Sequence, residues 1–420
     1  MISYFLAYNR FCNILGIFVI LFLSFLLSRN RKAINYRLVC NALAIEIGLA
    51  FFMLKTTVGI TMVKSIAHAI NKIYVCADEG ARFLFGNLTN ATESWAFIFA
   101  FKVLPIIIFF GGLMSLLFYL GIVQRCVGVI SIVMRPLLGT SGAETLCTIA
   151  NSFLGQTEAP LLIRNYLKNM TKSEMLVVMV SGMGTISGAI LMVFVAMGVP
   201  AVHLLTASVM AIPGTILIAK ILYPETEQPE TAHGATAAAS PAANMLDAVS
   251  TGTTDGLFLA LNVGAMLISF ISLIALFNYL LEYSSAQANS LLSYFGYAFA
   301  LPLINLKYIF SWLFAPFAYL LGFTGEEAFK VGSLLGIKVT INELIAYGHM
   351  MASNFSERTA ALLTYALCGF SNFSCIGIQI GGIGSLVPEK RHLLTELGLL
   401  AVLGSSLSNL LSAMIVGLLI

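Results

Sequence analysis

Charge is scarce in this sequence. Asp, Glu, Lys and Arg make up only 10% of its 420 residues, against roughly a quarter in soluble domains. Apolar residues make up 59% and mean hydropathy is +0.93. A water-soluble core cannot hide that much apolar surface, so the chain reads as an integral membrane protein. The ~10-residue alternating segments of an outer-membrane barrel are missing, while apolar runs approach or exceed the ~20 residues of a spanning helix. The seven cysteines, Cys12, Cys40, Cys76, Cys126, Cys147, Cys368 and Cys375, form no CxxC pair. Odd in number and scattered, they indicate neither a disulfide framework nor a zinc site. The net charge of +3 gathers into no basic stripe, which argues against nucleic acid as a partner. HExxH and GxSxG are absent, and only His349 comes near a polar motif, which argues against an intramembrane enzyme.

The apolar runs themselves give the organisation. The first, about Phe11 to Leu27, is followed by Arg29, Arg31, Lys32 and Arg37. A cleaved signal peptide has the reverse order, so this run reads as a retained helix with its basic end in the cytoplasm. Further spans are expected near Leu38–Leu54, Ala96–Val123, Met175–Met197, Val202–Leu222, Leu257–Leu281, Ala360–Gly382 and Leu393–Ile420. The mixed stretch Gly59 to Gly86, with Lys64, Lys72, Asp78, Glu79 and Arg82, is expected to be an interfacial amphipathic helix. "YPETEQPETAHGATAAASPAAN" (Tyr223–Asn244) is expected to be a flexible cytoplasmic linker between two halves. "EYSSAQANS" (Glu282–Ser290) is expected as a short outside loop.

Two segments do not fit simple spans. "FLGQTEAP" (Phe153–Pro160) lies between the short apolar pieces Leu146–Leu154 and Leu161–Tyr166. "TINELIAY" (Thr340–Tyr347) lies between Val331–Ile341 and Leu344–Met351. Each piece is too short to cross, and each pair fits a hairpin that enters the membrane and turns back. The second half then repeats the first. After GQTEAP come the turn "NMTKSE" (Asn169–Glu174), an apolar helix and the break "SGMGTISG" (Ser181–Gly188). After INEL come "NFSERT" (Asn354–Thr359), an apolar helix and "CGFSNFSCIG" (Cys368–Gly377). Duplicated, glycine-interrupted segments of this kind point to a transporter site between two repeats, usually of inverted topology.

The chemistry sits in those breaks. A carboxylate in hydrocarbon costs roughly 2.5–3.5 kcal/mol on insertion scales, so intramembrane acids are functional candidates by default. Glu158 and Glu343 occupy equivalent places, each beside an amide side chain, Gln156 and Asn342. Capping a half-helix is the plainer explanation, but it leaves Gln156, Thr157 and Glu158 together in lipid unexplained. Glu46 and Glu144 have no counterpart in the repeat and read as structural, Glu46 against scaffold helices and Glu144 near a hairpin's cytoplasmic entrance. Gly184-x-x-x-Gly188 and Gly377-x-x-x-Gly381 match close helix packing. Unwound backbone beside them could offer carbonyls to a hard cation such as Na⁺, with Asn151 and Thr185 adding side-chain oxygens. Phe370, more than Phe373, could bound a ligand pocket.

Together "SGAETLCTIANSFLGQTEAPLLIRNYL", "INELIAY" and "CGFSNFSCIGIQIGG" make the chain resemble the concentrative nucleoside transporter family, from about Phe97 to the C-terminus. The resemblance implies an all-α integral membrane protein with eight transmembrane helices, two re-entrant helical hairpins, an inverted repeat and an elevator mechanism, assembled as a homotrimer in the cell inner membrane. It implies scaffold helices with an interfacial helix at 1–136 and a first transport repeat at 137–222. A linker at 223–256, a scaffold helix and interfacial helix at 257–325 and a second transport repeat at 326–420 would follow. Gln156 and Thr157 match nucleobase contacts, with Glu158 assisting through water. Glu343 and Asn372 match ribose contacts, and Ile190 and Phe370 match apolar pocket positions. Na⁺ would be held by the side chains of Asn151 and Thr185 and the carbonyls of Leu154, Thr185 and Ile186.

Three departures stand out. Cys375 replaces a serine that contacts ribose in many relatives, and a thiol is a poorer hydrogen-bond partner. Thr185 replaces a common Ser but keeps the hydroxyl. Leu344 replaces the usual Phe and reshapes the pocket wall. Asn151 is retained where proton-coupled relatives tend to lack it, which favours Na⁺ as the coupling ion. The expected activity is sodium-driven nucleoside import. The competing readings are proton coupling through Glu158 or Glu343, and a passive channel, which would need no matched acids at two half-helix tips.

Overall fold

A computed structural model describes residues 7–89, 98–232, 234–296, 299 and 302–420. Ala96, where a span was expected to begin, Phe97, where the resemblance starts, and His233 in the expected linker lie outside the described residues. All regular structure among the described residues is helical. In chain order the helices are α1 (Arg10–Leu26), α2 (Tyr36–Lys55), α3 (Thr57–Phe85), α4 (Phe99–Tyr119), α5 (Ile122–Leu138) and α6 (Gly142–Asn151). There follow α7 (Ala159–Leu162), α8 (Lys172–Gly184), α9 (Gly188–Ala196), α10 (Ala201–Leu222) and α11 (Met245–Tyr294). The rest are α12 (Leu306–Leu320), α13 (Gly325–Thr340), α14 (Glu343–Met351), α15 (Glu357–Leu367), α16 (Phe373–Leu386) and α17 (Arg391–Leu419).

Among the described residues six helices are long and apolar enough to cross a membrane, or seven if α12 and α13 count as one bent span. Those two meet at 111°. Two expected spans are interrupted. α8 stops at Gly184 and α9 restarts at Gly188; α15 stops at Leu367 and α16 restarts at Phe373. Both restarts are capped by a polar side chain. Ser187 accepts from the Ile190 amide at 3.3 Å and Asn372 from the Cys375 amide at 3.1 Å. The caps satisfy amides that a helix beginning in apolar surroundings would leave bare.

Three expectations are corrected. "EYSSAQANS" is not a loop: it continues α11, a 50-residue helix whose length, ~75 Å at 1.5 Å per residue, far exceeds a bilayer core. α11 starts at Met245, so the last third of the expected linker 223–256, residues 245–256, is helical. The remainder of the linker is docked rather than free. Thr231 takes the Gly142 amide on its carbonyl at 2.8 Å and the Ala143 amide on its hydroxyl at 3.1 Å, and the Ala238 amide donates to Leu162 O at 2.8 Å. The capping box at Ser141 leaves the Gly142 and Ala143 amides of α6 without acceptors, and the polar linker supplies them. α5 was not anticipated at all, although Val123, Val127, Ser131 and Leu138 bury one helical stripe.

α4 and α11 pack with their backbones nearly touching. A Cβ on Gly111 would come within 2.5 Å of Gly252 O, and one on Gly256 within 2.9 Å of Ile107 O. Small residues allow that approach where apolar area gives no advantage over lipid. The main partners of α1 and α2 are instead α10 and α17. Glu46 shows why: fully buried, it accepts from Ser412 Oγ at 2.6 Å and faces Gly214. Its neighbours lie on α17 and α10 rather than on α4 or α11. Glu144 is structural. It closes a capping box on Ser141 and pairs with Lys220 at 2.8 Å. Gly184 sits tight against Thr215 of α10, while Gly377 and Gly381 have open space beside them. The close-packing reading therefore holds for the first glycine pair and not for the second.

Candidate functional site

The polar tips converge on the interrupted helices. α6 ends at Asn151, the chain turns through 152–158, and α7 begins with Pro160 in its first turn. Proline is favoured there because its missing N–H would be unpaired anyway. Glu158 is exposed and folds back to accept from the Gly155 amide at 3.3 Å. Phe153 O takes the Gly188 amide at 3.1 Å, which straps this tip to the start of α9. The expected return limb Leu161–Tyr166 is a single short helix followed by turns. In the second repeat α13 and α14 pack on each other across Ile341 and Asn342, and Asn342 caps α14 by accepting from the Ile345 amide at 2.9 Å.

Gln156 is buried, and its Nε2 donates to Cys375 Sγ at 3.3 Å, joining the first tip to α16. Its Oε1 has no partner. Thr157 is half-buried and lies against Gly382, where a Cβ would approach its methyl at 2.6 Å. Glu343 is buried, and its Oε2 accepts from Asn372 Nδ2 at 3.1 Å. Ile190 and Cys375 are the residues whose amides the two caps hold, so they take matching positions in α9 and α16. Phe370 is half-buried and Phe373 exposed. The structure thus joins Gln156 to Cys375 and Glu343 to Asn372. Among the described residues, the Glu158 side chain makes no hydrogen bond to another expected site residue.

Near the first break, Asn151 is 1% exposed. Its Nδ2 donates to Ser181 Oγ at 3.0 Å, but its Oδ1 has no partner. Thr185 Oγ1 donates to Ser181 O at 2.8 Å, which uses the hydroxyl proton and leaves the oxygen able to accept. Leu154 and Ile186 are buried beside them. No three His, Cys, Asp or Glu gather anywhere among the described residues. The donors at this break are therefore neutral amide, hydroxyl and carbonyl oxygens, a set suited to a hard monovalent cation. An orphaned buried carbonyl oxygen costs about 1–3 kcal/mol, and a cation there would remove that cost.

Three residues that sequence reading passed over hold the breaks together. Asn409 of α17 donates to Gly184 O at 2.8 Å and accepts from Lys338 Nζ at 2.7 Å and Ser371 Oγ at 3.2 Å. Gly369 has φ +101°, and a Cβ there would meet Gly184 O at 2.6 Å. The two breaks consequently touch backbone to backbone. Gln379, fully buried, donates to Met179 O at 3.0 Å. Asn409 and Gln379 are amide side chains buried in otherwise apolar helices, which makes them functional candidates; Gly369 acts through its backbone. A cavity of about 660 Å³ lies beside α13 and α14, lined by Ile274, Phe310, Ile337, Ile341 and His349 among others. It holds none of the expected site residues.

Residues 15–88 and 203–417 match the N- and C-terminal models of Na⁺ dependent nucleoside transporters, and 100–201 match a nucleoside recognition model. The chain belongs to the Na⁺ dependent nucleoside transporter family. It is 42% identical to an uncharacterized transporter of Haemophilus influenzae and 38% identical to nucleoside permease NupC of Helicobacter pylori. These cover 97% and 99% of both chains in each pair. It is 35% identical to sodium/nucleoside cotransporter 1 of Rattus norvegicus over 96% of this chain and 63% of that one. Its fold superposes on CNTnw in an inward-facing substrate-bound state with a TM-score of 0.88, at 38% identity, covering 97% of this chain and 98% of that one. The chain is thus a membrane transporter, not an enzyme.

Within this family the Cys375 contact gives a direct prediction. Cys375→Ser puts a hydroxyl, a stronger hydrogen-bonding group than a thiol, at the position expected to contact ribose, beside Gln156. A neutral hydrogen bond contributes about 0.5–1.5 kcal/mol, so uridine affinity should rise by roughly two- to twelve-fold. Equilibrium binding of labelled uridine to the purified variant measures it; unchanged or weaker binding would show that Cys375 does not face ribose.

Proposed function

We propose that the protein is a sodium-coupled symporter that imports nucleosides across the cell inner membrane by an elevator mechanism. The observation that carries this reading is the meeting of two interrupted helices, each fed by a polar hairpin tip, beside an amide oxygen with no partner. The spans are α1, α2, α4, α8 with α9, α10, α11, α15 with α16, and α17, eight in all. The segments α6–α7 and α13–α14 are re-entrant hairpins, and α3 and α12 lie at the interface. Residues 137–222 and 326–420 form the transport unit, and α1 and α2, packed on it, travel with it. α4 and α11 form the scaffold, whose exposed apolar face meets lipid and the other subunits of a homotrimer.

Each site residue then has a role. Gln156 and Thr157 read the nucleobase, since an amide offers donors and an acceptor to a base edge, and Glu158 assists through water. Glu343 accepts from ribose hydroxyls, held in place by Asn372. Ile190 and Phe370 wall the pocket, and Cys375 abuts the sugar. Na⁺, the co-transported ion, binds Asn151 Oδ1, Thr185 Oγ1 and the carbonyls of Leu154, Thr185 and Ile186. By tying the first tip to the break in α8–α9 it completes the nucleoside site. One charge crossing 100 mV releases ~2.3 kcal/mol, or roughly fifty-fold accumulation, so one ion suffices.

Labelled uridine binding to purified protein in Na⁺ and in K⁺ tests the ion's part. Tight binding in Na⁺ and weak binding in K⁺ is expected. Equal binding in both, with a strong rise at low pH, would favour a proton-coupled symporter instead.

A further inference from the structure

The first break offers oxygens to a free ion; the second already holds a cation. The caps place the two repeats in register. α8 runs from N-cap Thr171 to C-cap Thr185, and α15 from N-cap Ser356 to C-cap Cys368. Both C-caps are extended, at φ −114°, ψ 170° and φ −61°, ψ 135°. Asn151, at the end of the first limb of hairpin 1, reaches Ser181 in the last turn of α8. Lys338, near the end of the first limb of hairpin 2, reaches the last turn of α15 in the same way.

Lys338 is 2% exposed. Its Nζ donates to Ala366 O at 2.8 Å, Cys368 O at 3.2 Å and Asn409 Oδ1 at 2.7 Å. An ammonium has three donors and no acceptor, and here each donor meets an oxygen. Two of those oxygens are carbonyls at the end of α15, where the helix dipole favours positive charge. The set resembles the one proposed at the first break, main-chain carbonyls plus one amide oxygen, but without a hydroxyl. Lys338 lies on the limb that leads into the second tip, five residues before its acid, Glu343.

We propose that Lys338 is a covalently tethered counterpart of the coupling ion. Its ammonium fills the ion position of the second repeat. That organises the Glu343 tip as Na⁺ organises the Gln156 tip, and it limits coupling to one free Na⁺ per nucleoside. The idea rests on the sodium reading above, and Lys338 is a positioning residue, not a substrate contact.

Two variants separate this role from simple structural support. Lys338→Ala empties the oxygen cage, while Lys338→Met fills it with an apolar chain. In uridine binding titrated with Na⁺, the parent should show a Hill slope near 1, set by one ion site. Lys338→Ala should bind uridine weakly at low Na⁺, recover at high Na⁺ and show a slope approaching ~2. Lys338→Met should not recover. A parental slope in Lys338→Ala, or equal responses of the two variants, would overturn the proposal. The reversal potential of the unaltered protein in liposomes gives the same answer without any variant. One net charge per uridine supports a tethered second cation, and two overturn it. A parent indifferent to Na⁺ would instead remove the sodium reading itself, and this proposal with it.

Discussion

Glu343→Gln should reduce uridine uptake by at least on the order of a hundred-fold while the protein still folds and assembles. The carboxylate is buried at the tip of α14 and is held by Asn372 at 3.1 Å. A hydrogen bond to a charged group contributes about 1.5–3 kcal/mol, and two ribose hydroxyls would each make one. Gln keeps one acceptor but turns a donor toward the other hydroxyl, so one bond is lost and its partner is left unsatisfied. That combination gives the hundred-fold figure. Gln has nearly the same shape, so Asn372 and the α14 cap at Asn342 keep their places. Uptake into liposomes, with size-exclusion behaviour as the check on assembly, reads both quantities. Normal transport by the variant would sink the assignment of ribose to Glu343.

Gly369→Ala should weaken uridine binding more than ten-fold without touching any substrate contact. The residue has φ +101°, a conformation L side chains rarely adopt; such strain costs about 1–3 kcal/mol. The added methyl would also come within 2.6 Å of Gly184 O, a backbone atom held by Asn409 Nδ2. Neither backbone can yield without moving a break, so the oxygens of Thr185 and the Asn372 cap shift together. Binding of labelled uridine and apparent melting temperature should both fall. Parental values of both would mean that contact between the breaks is not what shapes the site.

Much of the organisation was legible in the sequence. The glycine-interrupted breaks are local signals, and apolar run length located most of the long helices; the acids that match in the sequence do not match in the structure, where Glu158 is exposed and Glu343 buried. What was not legible depends on partners remote in sequence. Lys338 and Asn409 lie 71 residues apart, and nothing local says that a lone lysine in an apolar limb will find carbonyls at the end of α15. The linker looked free because Pro, Ala and Thr carry no core signal. Its order comes from amides at the start of α6 that need acceptors. "EYSSAQANS" looked like a loop because it is polar, yet it contains no glycine or proline, and α11 runs through it. Helices α1 and α2 read as scaffold by position in the chain. Buried Glu46, accepting from Ser412, ties α2 to α17, a partner that no local signal announced.

Sodium-driven accumulation is the central claim. It is tested most directly by uridine uptake into proteoliposomes at constant pH, with an inward Na⁺ gradient imposed or replaced by K⁺. Uphill uptake that requires the Na⁺ gradient, and that collapses when the gradient is dissipated, is the predicted result. Uptake that proceeds equally with K⁺, or that never exceeds equilibrium, would contradict it.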